Sequence, residues 1–239
     1  MPRKSPAYVV IADELRKWIE RGDYREGERL PNERSLVDTF GVARMTVRHA
    51  LDILQLEGLI DRRRGRAGGT FIRGLAPLVE LTCLSGIAAQ LEKLGFALNT
   101  KILSHSPVEA AARVAQGLGV EPGQTVGAVT RIRYVDGTPL MVENIYLPEE
   151  VSEGLGKGEL SAPLPEILAA TPHLTPVRKS DTLTPSVATE VEQNQLAVPR
   201  NVPLLRIHTQ MFNKDKTPVA HDESVLRSDV VKMQVITEV

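Results

Sequence analysis

Residues 30–72 read LPNERSLVDTFGVARMTVRHALDILQLEGLIDRRRGRAGGTFI, and this stretch decides how the first third of the chain folds. Asn32 precedes the run Glu33–Phe40, and its side-chain oxygen suits the free amides of a helix start. Leu36, Val37 and Phe40 fall at i, i+1 and i+4, which makes one apolar stripe. Gly41 tolerates the left-handed backbone that ends a helix in a sharp turn. A second helix is expected over Arg44–Glu57, with Val47, Ala50, Leu51 and Leu54 on its buried side. Gly58 stops it. Leu59–Asp61 and Thr70–Ile72 then read as two short strands around RRRGRAGG.

Two short helices, a sharp turn and a basic hairpin form the pattern of a winged helix-turn-helix, and that pattern makes DNA the expected partner. Arg44 and Arg48 lie at i, i+4 and share the outer face, with Met45 and Thr46 beside them. Arginine on such a face can fork onto guanine edges or onto phosphates. In the hairpin, Gly65, Gly68 and Gly69 let the backbone approach a phosphate or a minor groove. Charge is divided the same way. Residues 1–74 carry 15 Lys/Arg and 11 Asp/Glu; the remainder carry 14 and 19. A mildly basic head on an acidic body suits a DNA reader joined to something else, and modest charge calls for a homodimer on a palindromic site.

The stretch LPNERSLVDTFGVARMTVRHALDILQLEGLI closely resembles the DNA-binding domain of the GntR family of bacterial repressors. The upstream segment YVVIADELRKWIERGDYREGERLP resembles that family's first helix and the turn after it. The resemblance covers about the first third of the chain. It implies that Arg34, Arg44, Thr46 and Arg48 make major-groove and phosphate contacts, and that Arg66, Gly68 and Gly69 form the wing tip. The chain departs from the family in two places. Ala43 stands where many relatives carry Ser, and the wing is longer than usual by roughly two residues.

The head is expected to span residues 1–73. Residues 74–78, GLAPL, read as a linker, and residues 79–239 as a second domain. That body alternates helix and strand. Helices are expected over Leu84–Leu94, Ala110–Gly117, Pro163–Thr171 and Ala188–Leu196. Strands are expected over Ala97–Pro107, Gln124–Val135, Pro139–Leu147, Arg178–Pro185, Pro203–Asn213, Pro218–Arg227 and Val230–Thr237. Asp136-Gly137 is a strong hairpin signal. Two strand–turn–strand units echo each other, with Pro139 and Pro218 in corresponding places, and such hairpins would pair in one sheet. The fold class is α+β, a winged helix-turn-helix followed by a mixed, mainly antiparallel sheet domain.

The segments LTCLSGIAAQLEKLGF, LGVEPGQTVGAVTRIRYVDGTPLMVENIYLP and PVAHDESVLRSD resemble the effector-binding (UTRA) domain of the HutC branch of GntR regulators. That domain has a fold similar to chorismate lyase. The resemblance implies that Arg131, Arg133 and Glu143 contact an effector, and that Thr82 and Ser85 help hold its anionic end. Glu223, in the closing segment, joins these candidates. Ala220 and Leu226 stand where many sugar-phosphate-sensing relatives carry Glu and Tyr, which argues against an amino-sugar phosphate. Alternation puts Arg131 and Arg133 on one face. With a three-residue turn, Asp136–Thr138, Arg133 faces Met141 and Arg131 faces Glu143; a two-residue turn would put Glu143 on the opposite face. Two guanidiniums would bind a phosphate or carboxylate, so a small anionic effector, a sugar phosphate or an organic acid, is expected. The bland alternative is a plain Arg131–Glu143 ion pair with Arg133 solvated.

An enzyme is the competing class. His49, His105, His173, His208 and His221 are scattered, without metal-ligand spacing. There is no GxSxG motif and no P-loop. Asp222 and Glu223 are adjacent, so on a strand they face opposite sides. No catalytic residue, metal or cofactor is therefore expected. A chorismate-lyase-like enzyme fused to a DNA-binding head is the first alternative. A ligand-independent DNA binder is the second, and the buried-looking Arg131-x-Arg133 argues against it. The start MPRKSPAYVV soon turns charged and no apolar run approaches membrane length, so a cytoplasmic protein without a membrane partner is expected. The single Cys83 fits a reducing compartment and reads as a small packed residue.

Overall fold

A computed structural model of the chain describes residues 5–63, 68–74, 76–156, 158–200 and 202–237. The chain divides into two compact units. The first comprises Met1–Pro77 with Asp229–Lys232, and the second Leu78–Ser228 with Met233–Val239.

The first unit holds α1 (Ala7–Glu20), α2 (Glu33–Phe40), α3 (Arg44–Leu56), β1 (Ile60–Arg63) and β2 (Gly69–Ile72). Asn32 caps α2 as expected: its Oδ1 accepts from the Ser35 N–H at 2.9 Å. Gly41 turns left-handed at φ 63° and ends the helix. Ala43 leaves α3 without a side-chain cap. Val47, Ala50, Leu51 and Leu54 are buried, against Ile11, Leu15 and Leu36. The apolar stripe thus fixes which face of α3 is hidden, and its opposite side is left to solvent. β1 and β2 pair antiparallel, from Ile60–Ile72 to Arg63–Gly69. The stretch before α2 adds to them, with the Leu30 N–H donating to Thr70 O and the Ile72 N–H to Glu28 O, both at 2.8 Å. Gly58 sits at φ 73°, and a side chain there would run into the Asp229 carbonyl. The return of residues 229–232 to the first unit carries no local sequence signal.

The second unit holds β3 (Leu78–Glu80), α4 (Gly86–Lys93), β4 (Leu98–Glu109), α5 (Ala112–Leu118), β5 (Thr125–Val135) and β6 (Thr138–Pro148). After these come α6 (Glu149–Ser152), α7 (Leu164–Ala169), β7 (Arg178–Val187), α8 (Glu190–Leu196), β8 (Pro203–Phe212), β9 (Pro218–Arg227) and β10 (Lys232–Gln234), of which Lys232 is counted with the first unit. Six strands form one antiparallel sheet in the order β4-β5-β6-β9-β8-β7. The two echoed hairpins, β5–β6 and β8–β9, do lie side by side in it, joined through β6 and β9. One face of the sheet buries Val129, Ile145 and Met211 against Leu160, Leu164 and Leu168. The other buries Ile132, Val142 and Val225 against Ala188 and Leu196. Both faces are covered, which accounts for the long buried runs in β5, β6 and β9.

The β5–β6 turn corrects the sequence reading in an instructive way. The turn has two residues, because Val135 faces Thr138 and Tyr134 faces Pro139. A register shift follows, and Arg133 then faces Met141 and Arg131 faces Glu143. Leu140 is the extra residue. The bulge undoes the effect of the shorter turn, so Glu143 stays on the arginine face. Pro139, which has no N–H to give a ladder, sits beside it.

Candidate functional site

In the head, Arg44 and Arg48 project from the solvent side of α3. The Arg44 side chain is 69% exposed and that of Arg48 43%. Arg34 is exposed on α2, and Thr46 is half-buried on α3. One carboxylate that sequence reasoning passed over ties this surface together. Glu33 accepts from Arg44 Nε at 2.9 Å, from Arg48 Nε at 3.1 Å and from Arg62 at 3.1 Å. Burial alone would raise the Glu33 carboxyl, but Arg44 and Arg48 hold it below its ordinary value. Arg62 also reaches Asp52 at 2.5 Å. Three guanidiniums from α3 and β1 are therefore gathered around the start of α2, where phosphates compete well for them. Gly69 pairs with Arg63 on the wing strands and Gly68 precedes it. Arg66 lies outside the described residues.

In the body, alternation along five strands brings polar side chains to one face. Arg131 and Arg133 come from β5 and Glu143 from β6. Arg131 Nε donates to Glu143 at 2.6 Å and Arg133 Nε at 2.8 Å. Burial would raise the Glu143 carboxyl, but the two arginines hold it below the usual carboxylate range. Backbone carbonyls take most of the remaining guanidinium donors. Arg131 Nη1 donates to Leu160 O and Ala162 O. Arg133 donates to Ser161 O at 2.7 Å, to Ala162 O at 2.8 Å and to Thr100 Oγ1 at 2.8 Å. The segment 160–162 is thus clamped onto the sheet by side-chain chemistry.

Beside this cluster lies a cavity of about 610 Å3, counted out to its mouth. Arg133, Glu143, Asp181, Asp222 and Thr209 line it from the sheet, and Ser85 and Pro163 from the segments that close it. On β7, Lys179 and Asp181 pair at 2.9 Å. Asp181 also accepts from Thr209 Oγ1 at 2.7 Å.

The expected effector residues separate into three groups. Arg133, Glu143 and Ser85 line the cavity. Arg131 is fully buried behind it, in the cross-strand ion pair with Glu143 that was the bland alternative. Arg133 departs from that alternative, being buried rather than solvated. Thr82 and Glu223 are elsewhere. Thr82 is exposed and donates to Glu80. Glu223 faces the other side of the sheet. The hydrogen bond from His221, with Arg113 at 2.5 Å against the cost of burial, holds its carboxyl at about 2. Of the adjacent pair, Asp222 is the one that reaches the cavity. Sequence reasoning missed Lys179, Asp181, Thr209 and Ser224, although the i, i+2 spacing of the first two was a signal.

Models of two families match the chain. "Bacterial regulatory proteins, gntR family" covers residues 7–72, and "UTRA domain" covers residues 93–232, more than half of the chain. An uncharacterized HTH-type transcriptional regulator of Rhizobium meliloti is 32% identical over 237 residues, spanning 95% of this chain and 93% of its own. The chain belongs to the GntR family of regulators that carry a UTRA domain. The HTH-type transcriptional repressor NagR of Bacillus subtilis is 27% identical, across 94% of this chain and 91% of its own. The crystal structure of PhnF from Mycobacterium smegmatis has the same fold, with a TM-score of 0.63 at 22% identity, covering 95% of this chain and 99% of that one. The regulator is therefore a DNA-binding transcription factor and not an enzyme. Among the described residues, no helix is long and apolar enough to cross a membrane.

Proposed function

We propose that this regulator is a cytoplasmic homodimeric repressor that binds a palindromic operator and is controlled by a small polar effector in the body cavity. The observation that carries the reading is the cavity lined mainly by residues of the UTRA match, buried Arg133 and Glu143 among them. A ligand-independent DNA binder has no use for charged groups held at the wall of an internal cavity, because burying them costs free energy. Relatives named as repressors support the sign of regulation. Arg44, Arg48 and Arg34, with Thr46 and the wing residues Arg66, Gly68 and Gly69, are assigned to the operator. An effector that changes the spacing of two heads would take them off half-sites one helical turn apart.

The experiment is selection of fragments from genomic DNA by the full-length chain. An inverted repeat with half-site centres about 10 base pairs apart, or a multiple of that, is expected. Retention of fragments without any shared repeat would contradict the reading.

A further inference from the structure

Among the described residues, the cavity has two cationic side chains on its wall, and both are largely engaged already. Lys179 Nζ donates to Leu81 O at 2.9 Å, to Cys83 O at 3.1 Å and to Asp181 Oδ2 at 2.9 Å. Those three bonds use every donor of an ammonium group. Arg133 spends four of the five donors of a guanidinium on Glu143, Thr100, Ser161 and Ala162. An incoming phosphate or carboxylate would find one donor left, the second N–H of Arg133 Nη2, and would have to break bonds already made to gain any more. It would also approach three carboxyl groups, those of Glu143, Asp181 and Asp222.

The acceptor side is different. Asp222 is 7% exposed and lines the cavity from β9, between Ile145 of β6 and Thr209 of β8. Its Oδ2 accepts from Ser224 Oγ at 2.6 Å. Its Oδ1 is buried and has no hydrogen-bond partner among the described residues. Burial and the nearby Glu143 carboxylate push the group well above the ordinary aspartate range. A buried carboxyl oxygen without a partner is costly, and a cation brought to it removes that cost.

We propose that the effector presents an ammonium group to Asp222, so that the cavity selects a small amine rather than an anion. The inference rests on the reading of the cavity as the effector site. An ammonium nitrogen at Oδ1 favours the carboxylate form of Asp222, whose proton passes to solvent, and so gains a charge-assisted hydrogen bond; it lies in the field of Glu143 and Asp181 as well. The arginines then serve to hold Glu143 and the 160–162 segment in place, and they need not touch the effector.

The test uses three probes with one carbon skeleton: propylammonium, 1-propanol and propionate. Each is titrated into the full-length protein labelled at its methionine methyls, and the signals of Met141 and Met211, which line the cavity, are followed by NMR. The proposal predicts that propylammonium binds at least tenfold more tightly than propionate and more tightly than 1-propanol. It also predicts that Asp222→Asn, nearly isosteric, lowers propylammonium affinity at least tenfold. The comparison in the wild-type protein needs no variant. Propionate binding as tightly as propylammonium overturns the amine class while keeping the cavity as the effector site, and so does 1-propanol binding as tightly as propylammonium. Unchanged propylammonium binding by Asp222→Asn also overturns it. No response of either methionine to any of the three overturns both the amine class and the cavity itself.

Discussion

At the scale of single residues, the body owes its shape to charges that are hidden and neutralised. Removing Arg131 would leave Glu143 with Arg133 as its one arginine partner and strand the carbonyl of Leu160, while Ala162 O would keep Arg133. Breaking a buried pair in this way costs about 3–5 kcal/mol. Arg131→Ala is therefore expected to lower the denaturation midpoint strongly, as chemical unfolding followed by circular dichroism can measure. Asp222 has the opposite sign. Its folded form holds the proton more tightly than the unfolded chain does, owing to burial first and Glu143 second. The stability it contributes is full below the ordinary value of 3.8 and is lost as pH rises through the raised value. Asp222→Asn should accordingly melt higher than wild type at neutral pH, with the gap closing as the pH is lowered. A gap that is constant with pH in thermal melts would show that Asp222 does not carry this linkage. Such a stability deficit at one polar residue is common where a site is built for a ligand.

At the scale of elements, the recognition helix was readable because each signal was local. The Asn32 cap, the Gly41 turn and the buried stripe of α3 need only a few neighbours. Glu33 was not readable as the partner of Arg44, Arg48 and Arg62, since those pairs form across the turn and the wing. The β5–β6 hairpin shows the same limit. The pairing of Arg131 with Glu143 was foreseen from a longer turn, while the chain uses a shorter turn and a bulge at Leu140. Side-chain alternation fixed the face, but not the means of reaching it. The cavity was the least readable part, because Lys179, Asp181 and Asp222 meet Arg133 only once five strands align. On α3, Arg48→Ala removes a guanidinium from the solvent side and leaves the packed stripe untouched. The loss of operator affinity should be about 1–3 kcal/mol at fixed salt. A fluorescence titration giving wild-type affinity would take Arg48 off the contact surface.

At the scale of the whole molecule, one head offers a single recognition helix and a mildly basic surface, so specific binding is expected to take two heads. The body should supply the dimer contact. Residues 78–239 alone are expected to sediment as a dimer at micromolar concentration, and a monomer would refute that assignment. Occupancy of the body is expected to govern the operator affinity of the heads. This coupling is tested most directly by titrating the selected operator with the full-length protein, with and without a compound that shifts the Met141 and Met211 signals. The compound is expected to weaken operator binding at least tenfold and to leave binding to random-sequence DNA nearly unchanged. Equal operator affinity with the cavity empty and filled would contradict that expectation.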